Sequence, residues 1–151
     1  MATITQTLGT FTSIAFTGAA LSTLASATYV TSTAAVDLTA TTPLDALLEL
    51  SVTVGTVSGN KQVVLFLKVS LDGTNYSTGP ESGTTTTDEP DLYLIGAVPC
   101  NTNTTAQKKS FSIVAALGFC PRYFKPIVKN DSGAALTAGT LNYVTVVGTS
   151  A

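Results

Sequence analysis

The side chains that could carry chemistry are few in this 151-residue chain, and their spacing gives them little to act on. Histidine is absent, which removes the commonest general base and metal ligand. A Ser-His-Asp or Cys-His relay is therefore excluded. Cys100 and Cys120 make no zinc site between them. A chain of this length buries a core without covalent staples, so they read as two free, partly buried thiols; a Cys100–Cys120 bridge is the other possibility. No glycine-rich phosphate loop occurs. The densest ionic feature is Glu81, Asp88, Glu89 and Asp91. Calcium loops use such carboxylates, but this spacing fits none and Pro90 interrupts it. Glycoside hydrolysis needs one carboxyl in an apolar pocket, and the loop supplies no apolar wall. These acids read as a solvated loop. Tyr29, Tyr76, Tyr93, Tyr123 and Tyr143 could form a sugar-stacking platform. Tyr93, Tyr123 and Tyr143 fall in strand runs, where packing is the ordinary role, and Tyr76, beside a turn, is the one expected to be exposed. The expectation is a protein that is not an enzyme, with no catalytic, cofactor-binding or metal-binding residues.

Composition points the same way. Hydrophobic residues make up 44% of the chain and charged residues only 11%, against about 25% in an average protein. Threonine and serine must therefore keep the surface wet, and threonine is β-branched and suits a pleated sheet. Seven basic residues, with only Lys108 and Lys109 adjacent, offer no track for phosphates, so a nucleic-acid partner is not expected. No apolar run reaches the 18 or so residues of a membrane span. No Lys or Arg precedes Lys61, which argues against a secretory signal and for cytoplasmic synthesis. Low charge leaves little repulsion between copies, so a homo-oligomer is expected.

The elements that hold these residues read as strands. Leu44, Ala46, Leu48, Leu50, Val52 and Val54 share one face and alternate with Asp45, Leu47, Glu49, Ser51 and Thr53 on the other. After the turn at residues 55–60, Val63, Leu65, Leu67, Val69 and Leu71 are expected to face in, and Gln62, Lys68 and Ser70 out. Residues 77–91 read as a long polar loop, and residues 99–108 as another. Leu92–Val98, a run through Phe111, Ile113 and Ala115, Tyr123–Lys129 and Leu141–Val147 read as further strands. Pro126 suggests that its strand is an edge or bulged. The fold class is an all-β antiparallel sandwich, jelly-roll-like or Ig-like, with residues 37–151 as the sandwich. Residues 1–36 carry no charge. They are either the first strands or an extended arm packed on a neighbouring subunit, with Ile4, Leu8, Phe11, Ile14 and Phe16 as the partner-binding residues.

Two stretches carry a resemblance. Val69-Ser70-Leu71-Asp72-Gly73-Thr74-Asn75-Tyr76 is similar to a strand-turn of small β-sandwich virion proteins of tailed phages. Pro121-Arg122-Tyr123-Phe124, followed by Val128-Lys129-Asn130-Asp131-Ser132-Gly133-Ala134-Ala135-Leu136, resembles their closing segment. The resemblance covers mainly residues 61–147 and is most like head decoration (cement) proteins. It implies a homo-oligomer, a trimer, bound to the major capsid protein on the outside of a phage head. Tail, baseplate or fibre components and non-catalytic carbohydrate-binding or adhesion modules are the alternatives.

Overall fold

Alternating apolar and polar residues over long stretches dictate strands with one buried face, and the computed structural model, which describes residues 4–150, is built from them. In chain order they are β1 (Ile4–Leu8), β2 (Thr12–Ile14), β3 (Thr28–Thr31), β4 (Val36–Asp37), β5 (Asp45–Val54), β6 (Gln62–Ser70), β7 (Ser82–Gly83), β8 (Tyr93–Pro99), β9 (Ala106–Ser112), β10 (Tyr123–Asp131) and β11 (Leu136–Ser150). One short helix, α1 (Ile113–Leu117), and two 3-10 helices, Thr17–Thr23 and Glu89–Asp91, lie between them.

The strands form two antiparallel sheets. In the first, β1 and β2 share one edge of β11, followed by β5 and β9. In the second, β7 is followed by β3 and β4, which share one edge of β10, and then by β6 and β8. Taking β1/β2 and β3/β4 each as one interrupted strand, the pairing is nested. The first strand pairs with the last, the second with the second-last, β5 with β9, and β6 with β8. That order is a jelly roll, with β7 added at one edge. Of the two sandwich types expected, the jelly roll is the one adopted. Residues 4–36 are its first strands, running in both sheets.

The core lies between the sheets. Ala46, Leu48, Leu50, Val52 and Val54 line one wall and Val63, Leu65, Leu67, Phe124 and Val128 the other. Several details depart from the pattern read in the sequence. Leu44 and Leu71 lie past the ends of their strands and are 52% and 78% exposed. Lys68 and Ser70 face away from the core as expected, yet they are buried, because the segment after β6 folds back over that face. The expected strand through Ile113 and Ala115 is instead α1. Ser112 Oγ accepts from Ala115 N at its start, and Gly118 ends it in the left-handed region at φ 81°. Pro126 is in a central strand, not an edge. Its carbonyl accepts from Ser32 N, so its own nitrogen faces the gap between β3 and β4, where no ladder acceptor is needed.

Candidate interaction surface

The two outer faces of the sandwich differ, and the difference begins with lysines. Lys125 on β10 stands directly opposite Lys68 on β6, with Lys129 further along β10. Like charges placed opposite each other across a sheet are destabilising. The segment from Asp72 to Leu92 resolves this. Glu81 takes Lys68 at 2.8 Å, Glu89 takes Lys129 at 2.7 Å, and the Tyr76 ring lies 4.8 Å from Lys125 Nζ. Tyr29 is buried, and its hydroxyl donates to Glu89 as well. Below these ion pairs Tyr29, Val64, Phe66, Leu92 and Ile127 form a second apolar cluster. The acidic stretch is thus a strap, not a solvated loop. Its strand β7 pairs with β3, and its Pro80 and Leu92 are buried.

The outer face of the β1/β2-β11-β5-β9 sheet has no such cover among the described residues. Register places Leu8 beside Val146, and Val144 beside Leu47, all pointing away from the core. Leu8 is 68% exposed, and the other three are half-buried. Charge on this face is spent internally. Glu49 faces Lys108 at 3.6 Å, and Asp45 accepts from Ser112 Oγ and Val114 N. The face is therefore apolar towards β1, bounded there by Asp45, which is hydrogen-bonded but has no cation beside it among the described residues.

The residues expected to bind a partner separate on this frame. Leu8 and Phe11 are exposed, the latter in the bulge between β1 and β2. Ile14 is in the core at 7% exposure, because its register partner Leu141 faces inward, so it is not available as a contact. Phe16 is half-buried and packs on the same core. Ile4 pairs by backbone with Ser150, and its side chain lies outside the described residues.

The remaining candidates are dispersed. Tyr143 packs edge-on against the core Phe124, and Tyr76 is half-buried. Tyr93 is the more exposed one, at 39%, because β8 is an edge strand. It meets Phe119 edge-to-face at 6.3 Å. Cys100 and Cys120 are free thiols, and burial pushes both above the usual thiol range. Among the described residues no three Asp, Glu or Cys side chains are placed to hold a metal ion. A shallow depression of about 340 Å³ between β2 and β4 is lined by Thr12, Ser13, Ala34, Asp37 and Tyr143. Its one carboxylate, Asp37, is held by the backbone and side chain of Thr39.

The two stretches that carry the resemblance are turn locks. Asp72 accepts from the backbone of Thr74 and Asn75 and from the side chains of Ser70 and Asn75. Gly73 has φ 77°, and a Cβ there would lie 3.1 Å from the Tyr123 ring. Asn130 and Ser132 build the turn before β11. Sequence reading singled these residues out through the resemblance. It missed the strap, whose ion pairs join Lys68 and Lys129 to acids 13 and 40 residues away. No family model matches this chain, and no curated protein matches it.

Proposed function

We propose that this chain is a non-catalytic structural protein of a phage particle, a decoration protein that binds the major capsid protein from outside and stabilises the shell. The observation that carries the reading is the contrast between the two faces. One is closed by the chain's own strap, and the other presents Leu8, Val146, Val144 and Leu47, with Glu49 paired to Lys108 and Asp45 tied to the start of α1. An open sheet face with an apolar end suits docking on another protein surface, and many copies on a lattice multiply a modest affinity per copy. The resemblance of residues 69–76 and 121–136 supplies the phage context, since a jelly roll by itself is shared by unrelated functions. The test uses phage heads assembled without this chain. Wild-type protein is expected to co-sediment with them, and Val144→Lys with Leu47→Lys to weaken that binding at least tenfold while the far-ultraviolet spectrum is unchanged. Equal binding by the double variant refutes the assignment of this face.

The exposed Tyr93–Phe119 pair supports one other reading, a sugar-binding module, because adjacent aromatic faces stack on pyranose rings. Glycan-array binding lost on Tyr93→Ala supports it, and silence across the array removes it.

A further inference from the structure

The four outermost strands of the two sheets are not equally protected. Natural sheets guard free edges with charge, proline, bulges or short strands. β9 carries Lys108 and Lys109. β8 ends in Pro99 and has a register shift between Leu65 and Phe66 of its partner. β7 is two residues long. β1, Ile-Thr-Gln-Thr-Leu, has none of these devices within it. Residues 5–13 are all exposed, and β1 pairs with β11 beyond Val146, past the last register partner of β5. This end of the sheet is a two-stranded ribbon with an open edge, an arrangement that is marginal in water without a further strand.

The direction of the free backbone groups can be read from two bonds. Gly9 N donates to Thr145 O, and Leu44 N donates to Val146 O. Alternation along an antiparallel pair then turns the backbone of Thr5 and Thr7 toward β11 and that of Ile4, Gln6 and Leu8 away from it. The sequence around Gln6 reads alike in both directions: threonine on either side, then an aliphatic residue on either side. We infer that β1 is the seat of a two-fold contact with a second copy of this chain, β1 lying antiparallel to β1 with the axis at Gln6.

In that register Gln6 faces Gln6, Ile4 faces Leu8, and Thr5 faces Thr7 of the other copy. The residues with outward backbone groups meet as hydrogen-bonded pairs, so every free N–H and C=O of the edge finds a partner. Threonine–threonine cross-strand pairs are favourable. No charge lies in residues 1–36, so nothing repels across the axis. A two-fold contact of one patch with itself is the commonest kind of protein self-association. It differs from the three-fold association that the resemblance implies. It also stands on this chain alone, whatever larger structure the protein joins.

Sedimentation of the purified chain tests it. The wild type is expected to be a monomer–dimer system. Gln6→Pro removes an N–H that the chain's own β1–β11 ladder does not use, so the fold is kept while the dissociation constant rises at least tenfold. Gln6→Lys, which sets two like charges at the axis, is expected to act in the same direction and does not depend on tolerance of proline. In a hydrogen-bonded antiparallel pair the facing Cα atoms lie about 5.5 Å apart, within disulfide reach. Mild oxidation of Gln6→Cys should therefore give a covalent dimer, whereas Thr7→Cys, which faces Thr5, should not. A wild-type chain that stays monomeric to about 1 mM, one that forms trimers, a dimer indifferent to both Gln6→Pro and Gln6→Lys, or equal cross-linking at both cysteine positions overturns the inference. Because no phage head is present, failure here leaves the capsid reading to its own test on Val144 and Leu47.

Discussion

Replacing Asn130 with alanine should cost this protein a large part of its stability. Asn130 is fully buried in β10. Its Nδ2 donates to the carbonyls of Leu24 at 2.8 Å and Ala134 at 2.7 Å, and its Oδ1 accepts from Ser132 N at 3.1 Å and Ser132 Oγ at 2.6 Å. One side chain thus ties the segment before β3 to the turn before β11. Leu24 O keeps Leu136 N as a donor, and the single proton of Ser132 Oγ, released from Oδ1, turns to Ala134 O, so truncation strands neither carbonyl. Ser132 N loses the partner it has in the wild type. Three hydrogen bonds lost outright at about 1 kcal/mol net each, with about 1 kcal/mol more for the stranded buried N–H, give a loss of about 4 kcal/mol. Urea unfolding followed by tyrosine fluorescence measures it. With a slope of about 2 kcal/mol/M, the midpoint should fall by about 2 M. Asn130→Asp should be worse still at neutral pH, because it aims a carboxylate at two carbonyl oxygens. A loss below about 1 kcal/mol for Asn130→Ala would refute the view that this amide closes the turn.

Other outcomes follow from the same geometry. Asp72 is held well below the usual carboxylate range, first by the backbone N–H groups of Asn75 and Thr74. Its folded value lies below its unfolded one, so its contribution is present at neutral pH and is lost as pH falls through the folded value. The melting temperatures of wild type and Asp72→Ala should differ at pH 7 and draw together below about pH 4. Glu89→Ala removes the acceptor shared by Lys129 and Tyr29, so limited proteolysis should cut the strap between residues 77 and 92 several-fold faster while the remaining sandwich persists. Uniform loss of the whole chain would place the strap inside the cooperative unit instead. Gly133→Ala should destabilise by about 1–3 kcal/mol in a thermal melt, since the position has φ 84° and a Cβ would collide with the backbone of Ser58.

Alternation made the middle of the molecule readable. β5 places Ala46, Leu48, Leu50, Val52 and Val54 on the inner face as its sequence pattern requires. The same rule failed at its edges, for physical reasons. Leu44 and Leu71 continue the period but lie where the opposite sheet no longer covers them. β6 is buried on both faces from Val63 to Lys68, because the strap supplies a second layer that no local pattern announces. Ile113 and Ala115 fit a strand period, yet Ser112 and Asp45 together cap a helix there, and Asp45 is 67 residues away from Ser112. The open face was legible only in part. Leu8 and Phe11 stood out as uncharged apolar residues and alternation already put Leu47 on the outward face, but Val144 and Val146 could be assigned to a surface only once register fixed which way they point.

The nesting of strands also sets an order in time. Thr7 and Val147 are 140 residues apart, so β1 is synthesised long before its partner in β11 exists. Inner pairs such as β6–β8 and β5–β9 can form meanwhile across shorter loops. During that interval β1 has two vacant edges and no charge to hold neighbouring nascent chains apart. Its arrival beside residues 146–150 must wait for the strand made last, and crowding on one messenger is the condition under which the β1 of one chain would complete the β11 of the next.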